Sequence, residues 1–120
     1  MGRRADSAPA IGAGKEELAR HYLEQSGLRL VERNYRCRQG EIDLVMRDGD
    51  CLAFIEVRYR KSAGFGSPAE TVTRNKQRRI ILAARHYLQR HPTPLDCRFD
   101  VLAITGTRQI EWLKNAFFDL

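Results

Sequence analysis

The chain has 120 residues, of which 42% are hydrophobic and 30% are charged, and its 21 Lys and Arg outnumber its 15 Asp and Glu to give a net charge of +6. This length and composition predict a globular domain with one core and argue against a disordered or fibrous chain. The longest apolar run, Ile80 to Ala84, is far shorter than the ~20 residues that span a bilayer, and no signal-peptide pattern is visible, so we expect neither a membrane protein nor a secreted one.

The cysteines indicate a reducing compartment. Cys37, Cys51 and Cys97 are an odd number and form no CxxC pair. This usage favours free thiols in a reducing environment over a disulfide framework or a zinc site. We therefore expect a cytoplasmic protein.

The N-terminal part predicts a tail and a helix. Residues 1–13 are small, polar and aperiodic, which is typical of a flexible tail ahead of one domain over residues 14–120. The domain begins with a helix predicted over about residues 15–25, where apolar residues recur at helical spacing and Gly27 follows as a stop signal.

Three strands are predicted next, over about residues 28–36, 40–47 and 51–60. Asp48 and Gly49 predict a two-residue hairpin turn between the second and third strands. The glycine-containing residues 63–68 then predict a loop.

Acidic side chains are expected on one face of the hairpin. Because side chains alternate along a strand, Glu41 and Asp43 should share one face and Ile42 and Leu44 the other. In the third strand, Glu56 shares its face with Phe54 and Arg58 by the same alternation.

The turn sets the register of this hairpin. With Asp48 and Gly49 at the turn, Asp43 is expected opposite Phe54 and diagonal to Glu56, within about 8 Å on the same face. Like charges at this distance repel, so either the face is solvated or a divalent cation binds between the two carboxylates. Arg58 points the same way and could hold a phosphate oxygen.

The net charge lies on the next element, a long helix predicted to run to His91. Ser67, Pro68 and Glu70 fit a capped turn at its start, and Thr73 is a competing N-cap. The segment from Thr71 to Leu95 contains no acidic residue and six basic ones, so the rest of the chain carries fifteen charges of each sign. The six are Arg74, Lys76, Arg78, Arg79, Arg85 and Arg90. Such an element either faces phosphates or is a solvated helix face.

Two last strands are predicted over residues 97–105 and 109–113. The resulting order α-β-β-β-α-β-β predicts an α/β fold with a mixed sheet of about five strands flanked by two helices.

Six motifs resemble the YraN family of small bacterial proteins. They are GEIDLV, FIEVRYR, FGSPAE, KQRRIILAARHYL, RFDVLAI and the terminal NAF, and the resemblance spans about residues 12–118. It implies a restriction-endonuclease-like fold near the archaeal Holliday-junction resolvases, with a metal-dependent nuclease site.

The superfamily pattern of an acid on the first helix, then D and E-x-K, falls by position on Glu16, Asp43 and Glu56. These three would bind Mg²⁺ or Mn²⁺, although Glu16 also reads as a helix N-terminal acid favoured by the dipole. Arg58 takes the place of the usual lysine. Arginine stays protonated and cannot act as a base, so Arg58 either clamps the scissile phosphate or marks a chain that binds without hydrolysing.

Further site candidates lie nearby. Arg60 could neutralise nucleic acid, Lys76 is a candidate phosphate contact, and Glu41 is an accessory acid. Gln77 falls in the apolar arc of the long helix, where it bonds either to the site or to a buried carbonyl. With Arg74 and Arg78, the basic candidates would track a nucleic-acid backbone.

Three functions follow as hypotheses. The first is an endonuclease dependent on Mg²⁺ or Mn²⁺ that acts on DNA rather than RNA, in a branched or structured form. The second is a nucleic-acid-binding protein with a degenerate nuclease site, and the third is an interaction domain for an acidic protein partner. A homodimer, common among junction-cutting relatives, would suit incision of two strands.

Overall fold

The computed structural model describes residues 14–61, 68–106 and 109–118. The predicted N-terminal tail and most of the predicted loop at 63–68 lie outside the described residues. The described helices and strands are α1 Lys15–Gln25, β1 Arg29–Cys37, β2 Gly40–Asp48, β3 Cys51–Arg60, α2 Arg74–Arg90, β4 Asp96–Thr105 and β5 Gln109–Phe117. A 3₁₀ turn, Pro68–Thr71, precedes α2. Neither helix is long and apolar enough to cross a membrane.

The strands form one mixed sheet in the order β1-β2-β3-β4-β5. Strands β3 and β4 are parallel, and every other neighbouring pair is antiparallel. The parallel pair requires a crossover connection, which α2 provides. The predicted α/β fold, with five strands and two helices in this order, is confirmed. The prediction ended β5 at residue 113, whereas the strand continues to Phe117.

Each face of the sheet carries its own apolar core under one helix. On the α2 face, Ile80, Ala83 and Tyr87 pack with Val45 and Phe54. On the other face, residues of α1 pack against the sheet, and that core consists of Ala19, Leu23, Leu28, Leu44, Met46, Ala53, Ile55, Val57, Leu102 and Ile104. Residues 52–57 of β3 are all buried, and this stretch is apolar except for Glu56, so a charged residue at this position is exceptional.

The hairpin register differs from the prediction by two residues. Asp48 pairs with Cys51, so Gly49 and Asp50 form the turn, and Val45 rather than Asp43 stands opposite Phe54. Gly49 has a φ of 61°, and a glycine at the first central position is a feature of two-residue hairpin turns. Because side chains repeat every two residues, a register shift of two does not move Asp43 and Glu56 to opposite faces.

The prediction that the side chains of Ile42 and Leu44 lie on the same face of the sheet is wrong. Ile42 packs in the core under α2, whereas Leu44 packs in the core under α1. The change of face occurs at Asp43, and the neighbouring position of β1 is Asn34, which has a φ of 53°. A left-handed residue rotates the strand locally, which period-two alternation does not anticipate.

Gly40 brings the start of β2 into direct contact with α2. A Cβ atom built on Gly40 would lie 2.5 Å from the carbonyl oxygen of Arg79. Only a residue without a side chain allows this backbone-to-backbone approach. The contact places the acidic end of β2 beside the first turns of α2.

A candidate active site between two strands and a helix

Asp43 and Glu56 come together where β2 and β3 separate. The paired register of the two strands runs to Leu44 and Ile55. Beyond this pair of residues, a side chain takes the place of a backbone partner. The Oδ2 atom of Asp43 accepts a hydrogen bond of 2.8 Å from the backbone N–H of Val57. This bond holds Asp43 within hydrogen-bonding reach of the Glu56 carboxyl group. The two acids that the sequence placed on one face therefore lie beside each other.

Glu56 is buried in this arrangement, with only 4% of its surface exposed. Burial, together with the neighbouring charge of Asp43, raises the pKa of Glu56 to about 7, although Lys76 and Arg58 act in the opposite direction. Burial also raises the pKa of Asp43, although the hydrogen bond from the N–H of Val57 acts to lower it. Ionisation of both carboxyl groups is energetically unfavourable, because like charges would then lie close together in a buried place. The pair therefore favours holding one proton or a bound cation near neutral pH.

Two cationic side chains approach Glu56 without closing tightly on it. Arg58 lies 3.5 Å and Lys76 3.9 Å from Glu56 Oε2. These distances exceed the 2.7–2.9 Å or so of a tight charge-assisted hydrogen bond. The side chain of Arg58 is 39% exposed, so its guanidinium has room to turn toward a ligand.

Lys76 reaches the site from the first turns of α2. The Thr73 side chain caps this helix by accepting the backbone N–H of Lys76 at 3.1 Å. The cap fixes where the helix starts, and it therefore places the ammonium above β3. The site combines two acids from adjacent strands with one cation from the sheet and one from the helix.

Glu16 stands in the first turn of α1, and its charge contributes to the raised pKa of Asp43. Among the described residues, however, no group of three or more Asp, Glu, His or Cys is arranged to hold a metal ion. The structure thus brings together the pair Asp43 and Glu56 rather than the predicted trio. Mg²⁺ commonly binds proteins through one or two carboxylates with water and substrate phosphate, so the donor set of this pair fits such an ion.

Two accessory candidates have structural partners. Glu41 forms an ion pair of 3.2 Å with Arg36 on the surface of the β1–β2 pair. The Gln77 amide donates a hydrogen bond of 3.0 Å to the carbonyl of Val72, which is the structural role that the sequence left open.

The predicted nucleic-acid contacts divide into two groups. Arg60 bonds to Thr105 and forms an ion pair with Glu111, and its side chain is only 14% exposed, so it stabilises the sheet. Arg74 and Arg78 are exposed on α2. The site also depends on the backbone N–H of Val57, which holds Asp43. The sequence could not reveal this donor, because every residue type but proline has a backbone N–H.

Comparison with known proteins finds one family. The model described as "Uncharacterised protein family UPF0102" matches residues 15–104. A UPF0102 protein of Aeromonas hydrophila subsp. hydrophila is 52% identical over 114 residues, covering 92% of this chain and 87% of the relative. UPF0102 proteins of Herminiimonas arsenicoxydans and Coxiella burnetii are each 53% identical, over 106 and 109 residues, covering 88% of this chain and 85% and 90% of the relatives. The matched range contains every residue of the acidic site described above.

Proposed function

The chain belongs to the family UPF0102, in keeping with its YraN-like motifs, and we propose that it is a divalent-cation-dependent phosphodiesterase that cleaves DNA of branched or structured form. One observation carries the proposal. Two carboxyl groups, one of them almost fully buried, converge between separating strands with two cationic side chains beside them.

The acid pair supplies the reason for a cation. Holding Asp43 and Glu56 together in a buried place raises the pKa of both groups, which is unfavourable unless something positive joins them. A divalent ion can replace the shared proton, and both carboxylates would serve as its ligands. Such an ion, when bound, activates water and offsets negative charge on the phosphate.

The cations of the site have a complementary task. The Arg58 guanidinium can hold two oxygens of a phosphate at once, whereas the Lys76 ammonium acts as a single mobile charge. Both lie within 4 Å of Glu56, so a phosphate bound by them sits next to the acid pair. The exposed Arg74 and Arg78 extend the positive charge along α2, in a segment without acidic residues. This charge distribution suits a nucleic-acid substrate.

Arg58 also favours a second function. Because arginine does not give up its proton at ordinary pH, it cannot take a proton from attacking water. A protein that binds nucleic acid through this site and does not hydrolyse it is therefore the alternative. The substitution Arg58→Lys separates the two cases, since it should create or increase cleavage only if the lysine position limits hydrolysis.

Cleavage assays with Mn²⁺ test the proposal. Four-way junction, flap, single-stranded and duplex DNA would be incubated with the purified protein and with Asp43→Asn. Asp50→Asn, in the exposed hairpin turn, is a matched control that leaves the acid pair intact. We expect cleavage of at least one substrate by the parent protein and by the control, and its loss in Asp43→Asn. Equal cleavage by the parent protein and Asp43→Asn would identify a contaminating nuclease and refute the proposal.

A further inference from the structure

A groove runs along one flank of α2 and is bordered by Phe118, the residue after β5. It has a volume of about 430 Å³ and combines two kinds of surface. Its basic wall contains Arg74, Arg78 and Arg85, and its apolar lining contains Ile81, Leu82 and Phe118. We call it the α2 groove.

The groove follows one stripe of the helix. Positions 74, 78, 81, 82 and 85 recur at intervals of three and four residues, so their side chains lie on one side of α2 over about 16 Å. Lys76 projects from a different side, toward Glu56. Because Arg74 and Lys76 belong to the same first turn, the groove begins at the end of α2 where the acid pair lies.

An exposed aromatic ring stands at the other end of the groove. Phe118 is 65% exposed, although its neighbour Phe117 is buried and stacks on Phe99. A second hollow of about 240 Å³ shares Arg85 and Phe118 with the groove. The ring of Phe118 therefore borders two concave surfaces.

The charge of the groove selects an anionic occupant. No acidic residue occurs from Thr71 to Leu95, and among the described residues Arg74 and Arg78 form no ion pair. An intact duplex presents mainly phosphates and would leave the apolar lining unused. An unpaired strand presents phosphates together with bases, whose faces stack on aromatic rings.

We propose that the α2 groove binds an unpaired segment of a nucleic-acid strand, with a base stacked on Phe118 and phosphates held by Arg74 and Arg78. The inference rests on the proposed function, because it specifies the substrate of the same site. That substrate carries a single strand next to the point of cleavage, as a flap or an open junction does.

Binding without hydrolysis tests this inference. The affinity for a fluorescently labelled oligo-dT of about ten nucleotides would be measured by anisotropy, in EDTA and at low salt. Replacing Phe118 by Ala should weaken binding roughly 5- to 150-fold, the loss of one stacked base, whereas Phe118→Trp should retain it. Tyr59→Ala is the matched control, because Tyr59 is also exposed but alternates to the face opposite Glu56.

The salt dependence tests the arginines separately. Arg74→Gln and Arg78→Gln should each lower the slope of log affinity against log salt by about 0.7, the value for one phosphate on a single strand. Arg90→Gln, exposed in the last turn of α2 and outside the groove, should leave the slope unchanged.

Three results would overturn the inference. They are unchanged oligo-dT affinity in Phe118→Ala, tighter binding of a blunt duplex of equal length, or preferred binding of an acidic peptide over oligo-dT. Absence of cleavage together with Phe118-dependent binding would refute the proposed function alone. Cleavage together with Phe118-independent binding would refute the groove inference alone.

Discussion

Replacing Glu56 by glutamine should change how the stability of the metal-free protein depends on pH. The pKa of Glu56 is raised from 4.5 to about 7 in the folded chain, mainly by burial and then by the charge of Asp43. The folded state therefore binds the proton more tightly than the unfolded state does. The raised pKa of Glu56 therefore stabilises the folded state fully below about pH 4.5, and this stabilisation is lost as the pH rises through about 7.

The size of this effect follows from the shift. A rise of about 2.5 pKa units corresponds to roughly 3 kcal/mol of unfolding free energy lost between low and high pH. The side chain introduced by Glu56→Gln would stay neutral at every pH, and its amide could donate to Asp43 as the protonated acid does. We therefore expect Glu56→Gln to be more stable than the parent protein by about 2–3 kcal/mol at pH 8 and nearly equal to it at pH 4.

Urea unfolding in EDTA, followed by circular dichroism from about pH 4 to about pH 8, measures this difference. Asp50→Asn serves as the control, since it removes an exposed carboxylate of the same hairpin and should follow the parent profile. A parent profile that does not fall over this range would contradict the reasoning. So would a stability difference between Glu56→Gln and the parent that does not change with pH.

Three further predictions concern the cation, the helix contact and the buried ion pair. Mn²⁺ at about 100 times its Kd should raise the unfolding free energy by about 2.7 kcal/mol in the parent protein and hardly at all in Asp43→Asn, as thermal shifts would show; equal shifts would count against a site at this residue. Gly40→Ala should cost about 1–3 kcal/mol in urea unfolding, because its Cβ would lie 2.5 Å from the Arg79 carbonyl oxygen; unchanged stability would mean that α2 can move away freely. Asp100→Ala should cost about 3–5 kcal/mol in the same assay, because Asp100 is fully buried and accepts hydrogen bonds from Arg98, which would lose its buried partner; a loss below 1 kcal/mol or so would contradict this role.

The element order and the acidic face were predictable because they depend on local signals. Alternation placed Asp43 and Glu56 on one face, and a register error of two residues did not change that result. The error arose because a glycine suits either central position of a two-residue turn. The face of Ile42 was wrong for another reason, since a left-handed Asn34 is not visible in an alternating pattern.

Long-range partners were the part that the sequence could not provide. The sequence suggested Arg60 as a contact for nucleic acid, but it could not show the ion pair of Arg60 with Glu111, 51 residues away. Lys76 was a candidate phosphate contact, but its position next to Glu56 depends on how α2 crosses the sheet. Such pairings are set by the packing of distant elements rather than by the spacing of residues along one of them.

The bare backbone of Gly40 under Arg79 acts as a mechanical stop between strand and helix. Asp43 follows Gly40 by three residues, and Lys76 precedes Arg79 by three. The acidic and the basic side chain of the site therefore each lie three residues from the same backbone contact. Neither element can slide toward the other without a collision of main-chain atoms. The contact therefore sets a lower limit on the separation of β2 and α2, and with it on the separation of the acid pair from Lys76.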